Sequence, residues 1–580
     1  MERNRLQRNA GAHRERRDVL VGQARATQVG IYAESDTSIQ RVTQAGIYAE
    51  TGTPVHYVTQ VGIYAELTSW LEPVVYRVEI DWNRDGTYTD ETAYVVAARG
   101  THRLVSPEQS ISGGGAGIVD QCTVTLNNST KRFSSRNAAG ALYATIADGG
   151  AYQAPMIVQV KIEGVTTKLF TGYVRGISEQ ARTAMLPASV TLDCRSREDL
   201  LLQMHASTAT ADYLAAVGAA EDTHLIQRLE EAGFVDGTDF VSEAYALANT
   251  VAPTIDYGMF PLRYTWTDDE PPLQDAWSIA GAAMGWFYCD PDGIFRYRNM
   301  AGLLGDLAER QFGTDDLIVL NESNTAALTL QYEDAELYNR IEVEVSPRAL
   351  GIYGVAWEAE TTPRVEAGGS LTLWAKYRHP LALDDASVSF TARYASGATI
   401  ASGISTAVTS YAQRARIVIG NATAADAYLV DFAVYATPLE AGDPFTIEAV
   451  SADAFWTTRA GRVRTVRGSE YIQAKAHADT IANYLLTRQQ TPRLFARVAG
   501  IHDPAVRVGK RVQIGYPFDV TTSAIVAVVV NTDWTLSAAG FNLNARAMDM
   551  DGLFPCEPYF VLGTNTLGTG LGVDDAKLFW

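Results

Sequence analysis

Short runs of alternating apolar and polar residues recur along most of this chain and constrain its fold more than any other feature. They include the runs Val75 to Ile80, Cys122 to Leu126, Ile157 to Ile162 and Val190 to Leu192. Side chains on a β-strand point alternately to its two faces, so a period of two predicts a strand with one buried face. The region from Val74 to about Cys194 is therefore predicted to form an antiparallel β domain.

Other segments depart from this pattern. Apolar residues recur at helical spacing in 211–233, 271–285 and 469–488, which predicts a helix in each. The run from Trp286 to Tyr297 holds two aromatic strands around Asp290-Pro291-Asp292-Gly293, a turn sequence, and predicts a β-hairpin. Strands return in 326–345 and from Leu494 to Met548. The fold class is therefore predicted as mainly β with a few helices (β+α).

A separate β module is predicted from Gly354 to Val450. This stretch is almost purely strand-like and has its own turn glycines, so we interpret it as an inserted β-sandwich. Its aromatic residues occupy alternating positions, which suits either core packing or a binding platform for sugars and partner proteins. These residues are Trp357, Trp374, Tyr377, Tyr394 and Tyr411.

The two chain ends differ from the middle. An eight-residue pattern, Thr27 to Glu34, recurs at Thr43 to Glu50 and Thr59 to Glu66, a period of 16 residues. Each copy alternates like a strand, so the repeats predict either an intersubunit arm or a three-stranded meander of the first domain. The first 20 residues are rich in arginine, which suits a solvated tail, docking onto an acidic neighbour, or contact with DNA.

A chain of 580 residues is predicted to hold about three to five domains. We divide it as follows: 1–70, the basic arm and three β repeats; 71–200, a first β domain; 201–300, helices and the aromatic hairpin; 301–353, strands of a second β domain; 354–452, the inserted sandwich; 453–550, a helix and the closing β domain; 551–580, a C-terminal arm.

Charge and cysteine content narrow the function. A formal net charge of -20 disfavours a dedicated nucleic-acid-binding protein. The cysteines Cys122, Cys194, Cys289 and Cys556 are far apart and contain no C-x-x-C pair, so buried free thiols are predicted. No run of about 18 apolar residues occurs, so no stable membrane insertion is predicted, and we expect the protein to be made in a cytoplasm.

One loop has the character of a metal ligand set. Asp81, Asn83, Asp85, Thr87 and Asp90 place oxygen donors around Gly86, a spacing that suits calcium. The acid expected at the twelfth position is replaced by Thr92, with Glu91 one residue early. The motif is therefore interpreted either as a calcium loop, the one cofactor suggested, or as a plain β-hairpin with an Asp-Gly turn.

Catalytic motifs are scarce. The chain contains no H-E-x-x-H, G-x-S-x-G or P-loop pattern, and its eight histidines are scattered. The acidic run Asp268-Asp269-Glu270 is a conceivable pair of glycosidase carboxylates, but acids before a helix commonly cap it. We expect no enzymatic activity.

Several motifs, in order along the chain, resemble the tail-hub or baseplate-hub proteins of tailed bacteriophages. They are Asp120 to Asn128, Arg132-Phe133-Ser134, Pro155 to Val158, Leu169 to Val174, the helix and hairpin from Trp277 to Tyr297, Leu337 to Val343, the helix around Ala478, the strand entry Pro492-Arg493, and Val508 to Ile514. The resemblance extends over about Val74 to Met548 and does not include the N-terminal repeats.

The resemblance implies two tube-like β-barrel hub domains per chain, so that three chains form a ring of six similar barrels. The implied partners are further copies of the chain as a homotrimer, a tail tube or distal tail protein, the tape-measure protein, and tip or fibre proteins, with phage DNA in transient passage. The implied location is the distal end of the virion tail. Two alternatives remain: a receptor-binding or glycan-binding tail protein, and a tail-associated cell-wall hydrolase.

Overall fold

The computed structural model describes residues 75–104, 119–162, 164–183, 186–204, 219–262, 271–299, 318–321, 324–333, 337–452, 462–490, 493–515, 525–537 and 540–549. All of these belong to one unit of the chain, Val75–Trp580. The predicted basic arm, N-terminal repeats and C-terminal arm lie outside the described residues.

The first part of the described chain is built from strands. They are β1 (Val75–Ile80), β2 (Thr89–Asp90), β3 (Val95–Arg103), β4 (Gln121–Asn127), β5 (Pro155–Ile162), β6 (Val165–Gln180) and β7 (Ser189–Ser196), with a 3-10 helix (Thr92–Tyr94) and the helix α1 (Tyr143–Ala147) in the connections. β4 and β7 alternate between buried and more exposed residues along their whole length. These strands pair antiparallel, as predicted.

Helices and short strands follow. They are α2 (Glu198–Gln203), β8 (Ala219–Ala220), α3 (Glu221–Glu231), α4 (Glu243–Asn249), β9 (Pro261–Leu262), α5 (Pro272–Ala282), β10 (Trp286–Cys289) and β11 (Phe295–Arg298). The helices predicted over 211–233 and 271–285 are confirmed at α3 and α5, although 211–218 lie outside the described part. β10 and β11 pair antiparallel as the predicted hairpin, with Gly293 in the turn at a φ of 86°.

The next segment forms the insert and its base. Its strands are β12 (Ile318–Leu320), β13 (Ala327–Glu333), β14 (Arg340–Val345), β15 (Arg348–Leu350), β16 (Gly354–Glu358), β17 (Arg364–Val365), β18 (Ser370–Lys376), β19 (Ser387–Arg393), β20 (Ile404–Ser410), β21 (Arg414–Asn421), β22 (Ala427–Ala436), β23 (Leu439–Ala441) and β24 (Phe445–Val450).

The insert is a sandwich of two sheets. One holds β16, β22, β17 and β19, and the other holds β18, β21 and β20. Their inner faces share a hydrophobic core that includes Ile417, Leu429 and Phe432. β24 lies within the segment predicted as sandwich but does not pair with either sandwich sheet. It pairs antiparallel with β14, the strand that precedes the insert, from Phe445 opposite Val345 to Val450 opposite Arg340.

The last part of the described chain contains β25 (Val463–Val466), α6 (Lys475–Gln489), β26 (Arg493–Ile501), β27 (Arg511–Ile514), β28 (Ile525–Ser537) and β29 (Gly540–Asp549). The helix predicted over 469–488 begins only at Lys475. The residues before it form a turn at Glu470 and Tyr471 and irregular backbone, and Ile472 O accepts a hydrogen bond from Ser346 N. α3, α5, α6, the hairpin and β14 enclose one hydrophobic core.

The largest sheet has 13 strands and joins both ends of the described chain. Its order is β13-β26-β29-β28-β3-β4-β7-β6-β5-β1-β2, with β27 beside β28 and β12 beside β27. It curls into a half-barrel. The fold class is therefore mainly β with a few helices, as predicted.

The 13-stranded sheet contains the same arrangement twice. In the first unit the order is β3-β4-β7-β6-β5-β1, and in the second it is β13-β26-β29-β28-β27-β12. The first five strands of each unit pair antiparallel in both, whereas β1 is antiparallel to β5 and β12 is parallel to β27. We call these the first and second sheet units.

The remaining global predictions concern membranes and thiols. Among the described residues, no helix is both long enough and apolar enough to cross a membrane. Cys122, Cys194 and Cys289 are buried free thiols, as predicted, and Cys556 lies outside the described residues. Burial raises the pKa of all three thiols, so they stay protonated and unreactive at neutral pH.

Candidate functional site: the junction, polar face and open edges of the sheet

The two sheet units are joined by one strand pair. β3 of the first unit runs antiparallel to β28 of the second, from Ala97 opposite Ser537 to Arg103 opposite Asn531. Thr101 Oγ1 donates a hydrogen bond of 2.8 Å to Asp533 Oδ1 across this pair. The backbone ladder therefore continues from one unit into the other without a gap.

A glycine permits this close pairing. Trp534 of β28 lies opposite Gly100 of β3 and is only 2% exposed. A Cβ at Gly100 would lie 2.4 Å from the indole ring, so no side chain fits there. The large ring covers the backbone of β3 and fills the space beneath the junction.

One face of the joined sheet is polar across strands of both units. Residues directly opposite one another form continuous rows, because each pair in register lies on the same face. The rows contain Asp193, Thr123, Arg99, Thr535 and Asn542; then Arg195, Gln121, Thr101, Asp533 and Asn544; then Arg103, Asn531, Arg546 and Arg497. These 14 residues include five arginines and two aspartates, so this face is locally cationic on a chain with a net charge of -20.

The sheet has open edges at two other places. Among the described strands, β13 pairs only with β26, so its outer edge has no partner there. β6 pairs with β5 only as far as Tyr173, which leaves the edge from Arg175 to Gln180 without a strand partner in the described chain. Such an edge presents unpaired backbone donors and acceptors that can accept a further strand.

A cavity of about 350 Å³ opens beside the second of these edges. It is lined by Arg84, Gly149, Tyr152, Gln153, Val174 and Arg175. It therefore lies where the pairing of β5 with β6 ends and the open part of β6 begins.

A buried polar cluster holds the aromatic hairpin against the first sheet unit. Glu198 Oε1 accepts a hydrogen bond of 2.8 Å from Cys289 N, and Glu198 Oε2 accepts one of 3.0 Å from Ser196 Oγ. Burial, and then the neighbouring Asp120 carboxylate, raise the pKa of Glu198 to about 8. Glu198 is therefore mainly protonated at neutral pH.

His102 belongs to the same cluster. Its Nδ1 lies 2.7 Å from Asp120 Oδ2 and its Nε2 lies 2.8 Å from Leu169 O. Burial alone would lower the pKa of His102, but the charge of Asp120 and the hydrogen bonds outweigh burial and raise it. A cationic ring donates both of these bonds, so protonation holds the cluster together.

Arg197 makes a second link to the hairpin. Its Nη1 donates to Gly293 O at 2.9 Å and its Nη2 donates to Asp239 Oδ1 at 2.7 Å. Its guanidinium also lies over the rings of Phe234 and Phe295. The turn that the sequence predicted is thus fixed to the strand end before α2.

The loop predicted to bind calcium joins β1 to β2 as a hairpin. Asp81 is buried, and its carboxylate accepts hydrogen bonds from Asp85 N at 3.2 Å and Gly86 N at 2.8 Å. Asp85 Oδ1 accepts from Thr87 N at 2.8 Å. Asn83 is exposed.

The acidic residues at the end of this loop have other partners. Asp90 accepts from Thr92 N and from Arg77 Nε. Glu91 is buried and binds Trp82 Nε1 and Arg132 Nη2. In the described chain, no three His, Cys, Asp or Glu side chains are grouped to hold a metal ion. Calcium binding by Asp81, Asn83, Asp85, Thr87 and Asp90 stays a prediction.

The sandwich aromatics divide between core and surface. Tyr377 is buried, and Trp357 and Tyr394 pack against the sandwich core. Trp374 is 48% exposed and stacks on Tyr411, with their ring centroids 6.0 Å apart. The guanidinium of Arg414 lies 5.2 Å from the Trp374 ring centroid.

Some candidate residues lie outside the described ranges. These are the three acids of the run Asp268-Asp269-Glu270. The sequence reasoning did not find the Glu198 cluster. Its only signal was a pair of acids at the start of a short helix, which resembles an ordinary exposed helix start.

No family model and no curated protein matches the chain. Among solved structures it is similar to a tail protein from Neisseria meningitidis, with 10% identity, a TM-score of 0.42, and coverage of 83% of this chain and 98% of that one. It is also similar to the 43 kDa tail protein of prophage MuSo2 from Shewanella oneidensis, with 8% identity, a TM-score of 0.39, and coverage of 83% and 100%.

A third similar structure is an Escherichia coli component of the type VI secretion system, described as similar to bacteriophage T4 tail proteins. It has 9% identity and a TM-score of 0.34, with 82% of this chain and 77% of that one covered. These are proteins of the kind that the sequence motifs resemble. At identities of 10% or less and TM-scores below 0.5, they assign neither a family nor a function to this chain.

Proposed function

We propose that the protein is a structural component of a bacteriophage virion, a hub-type subunit at the distal end of the tail. In this role it forms an oligomeric ring, a homotrimer, that joins the tail tube or distal tail protein to the tip or fibre proteins. The tape-measure protein and the phage DNA pass through its channel. The role is non-enzymatic and needs no stable membrane insertion.

The observation that carries this proposal is the repeated sheet unit within one continuous sheet. Two equivalent units per chain give three chains six similar positions, which matches a sixfold tube to a threefold tip. The motifs from Asp120 to Ile514 that resemble hub proteins lie largely in these two units and the hairpin between them. Open strand edges are expected of a subunit that completes its sheet in an assembly.

The polar face supports a channel-lining role. It presents threonine, asparagine and glutamine together with five arginines, and the apolar side chains of the same strands point to the opposite face. A polar lining lets an extended protein or DNA slide without sticking to an apolar surface. This face has more positive than negative side chains, whereas the chain as a whole is acidic. A positive lining attracts the phosphates of DNA that passes through the channel.

The test is direct imaging of the purified full-length protein, combined with its mass in solution. Negative-stain images are expected to show annular particles with a central channel, and light scattering after gel filtration is expected to give the mass of three chains. A particle that stays monomeric at every concentration tested, without annular images, would contradict the proposal.

A glycan-binding role is the second candidate, and the exposed Trp374 favours it. A half-exposed indole that stacks with Tyr411 and has the guanidinium of Arg414 over its ring offers exposed aromatic surface beside a charged donor, which suits the face of a sugar ring. A glycan array compares the wild-type protein with Trp374→Ala and with Thr372→Ala, an exposed neighbour on the same strand. Binding lost only in Trp374→Ala supports this role, and no binding by the wild type contradicts it.

A further inference from the structure

The two sheet units can be aligned residue by residue at a shared irregularity. The register of the β6–β7 pair shifts by one residue between Val174 and Gly176. The register of the β28–β29 pair shifts in the same way between Val529 and Asn531. Val174 exchanges backbone hydrogen bonds with residues 153 and 154, and Val529 does so with residues 509 and 510. Val174 and Val529 are therefore equivalent positions.

The first strands of the units align in the same way. Gly100 of β3 lies opposite Cys122, which lies opposite Cys194 of β7. Leu330 of β13 lies opposite Ala496, which lies opposite Ala547 of β29. Cys194 and Ala547 are the partners of Val174 and Val529, so Gly100 and Leu330 are equivalent.

In this alignment, β28 pairs with a further strand at its end, whereas the equivalent end of β6 does not pair with any described strand other than β7. In the second unit, the part of β28 beyond Val529 is covered by β3, and Trp534 there is buried. In the first unit, no described strand apart from β7 lies beside the equivalent part of β6 beyond Val174, and Ser178, Glu179 and Gln180 are exposed. The strand equivalent to β3 is β13, whose outer edge is also open among the described strands.

We propose that β13 of one copy pairs with the open end of β6 in the next copy, repeating between chains the junction that β3 and β28 make within one chain. This inference rests on the ring proposed above and supplies its contact. The same pairing at each step is a head-to-tail contact, which closes into a ring when the rotation allows.

The alignment also sets the register of this contact. Thr101 lies opposite Asp533 within the chain, and the equivalent residues are Gln331 and Ser178. Gln331 of one copy is therefore placed opposite Ser178 of the next. A glutamine amide and a serine hydroxyl can exchange a hydrogen bond like the one between Thr101 and Asp533.

The type of pair follows from one backbone bond. Leu104 N donates a hydrogen bond to Val530 O, so Leu104 and Val530 form a hydrogen-bonded pair. Hydrogen-bonded and non-hydrogen-bonded pairs alternate along an antiparallel ladder, so a pair one or three residues further along the strands is non-hydrogen-bonded. Thr101 with Asp533 is such a non-hydrogen-bonded pair, where the two Cα atoms lie about 4.5 Å apart. A disulfide spans Cα atoms at this separation.

The experiment uses two full-length variants, each with one new cysteine and a different tag, co-expressed in a Cys556→Ser background. The three buried thiols stay out of the reaction. Oxidation of Ser178→Cys together with Gln331→Cys is expected to give a disulfide-linked heterodimer that carries both tags. Each variant expressed alone is expected to give none, because a head-to-tail contact never brings a residue to its own copy.

The control pairs Gln331→Cys with Thr372→Cys on the outer face of the sandwich, and no heterodimer is expected. If either junction variant fails to fold, Gln180→Cys with Thr329→Cys tests the next pair of the same type. Annular particles without the cross-link would overturn this contact and leave the ring in place. Monomers without annular particles would overturn the ring itself. A disulfide within a single chain carrying both cysteines would also overturn the contact.

Discussion

Thr101 Oγ1 donates a hydrogen bond of 2.8 Å to Asp533 Oδ1, although 432 residues separate the two along the chain. The bond crosses the strand pair that joins the two sheet units. Regions near both ends of the described chain must therefore fold against each other before the 13-stranded sheet is complete. The strands between them cannot finish the sheet locally.

Substitution of Gly100 tests the packing of this junction. Gly100→Ala places a methyl group 2.4 Å from the Trp534 ring, so β3 or the indole must move. We expect a loss of about 1–3 kcal/mol in the free energy of unfolding, measured by denaturant titration. Gly354→Ala, where the new Cβ would meet its nearest neighbour at 3.6 Å, serves as the control and is expected to change stability little.

Glu198 is expected to make stability fall as pH rises. Its pKa is raised to about 8 in the folded protein, so the folded state keeps a proton that the unfolded state releases above its ordinary pKa. The contribution is present below the unfolded pKa and is lost as pH rises through about 8. Glu198→Gln keeps a neutral side chain, so its free energy of unfolding should vary less between pH 5 and 8 than that of the wild type. An unchanged slope would contradict this assignment.

His477 is expected to act in the opposite direction. It stacks on Phe260, lies 2.7 Å from Ala282 O, and burial lowers its pKa to about 4. The unfolded state takes up a proton as pH falls below about 6.5 while the folded state does not, so stability is lost as pH falls toward 4. In His477→Asn, the melting temperature should therefore fall less between pH 6.5 and pH 4 than in the wild type. The exposed His502→Asn is the control and should leave this fall as in the wild type.

The Asp81 loop allows structure and calcium binding to be separated. Asp81→Ala leaves the N–H groups of Asp85 and Gly86 without their acceptor, and we expect a loss of about 1–3 kcal/mol in calcium-free buffer. If the loop binds calcium, added calcium raises the melting temperature of the wild type and not that of Asp85→Asn. Equal melting temperatures of the wild type with calcium and with a chelator would contradict the calcium prediction.

Local features of the fold were predictable from sequence because local rules decide them. Asp290-Pro291-Asp292-Gly293 sets a tight turn whatever surrounds it, and the hairpin is where the turn predicts it. The alternation in β4 and β7 likewise identifies the buried face of each strand. The start of α6 was placed too early because Ile472 bonds to Ser346, a partner that periodicity does not reveal.

The candidate site was less accessible to sequence reasoning. The equivalent positions Gly100 and Leu330, or Glu179 and Trp534, share no chemistry, so the repeat of the sheet unit is invisible in the residues. Glu198 and Asp120 are ordinary acids in sequence. Only the approach of Cys289 N and His102 makes them a buried cluster.

By itself, the sequence determined that this chain is a mainly β protein with a few helices, a tight aromatic hairpin and an inserted strand-rich module. Period and turn chemistry depend on neighbouring residues, so they are readable there. Tertiary structure alone decided which strands pair, that two equivalent units share one sheet, and which edges stay open. Strand pairing joins residues hundreds of positions apart, and alternation specifies the face of a strand but not its partner.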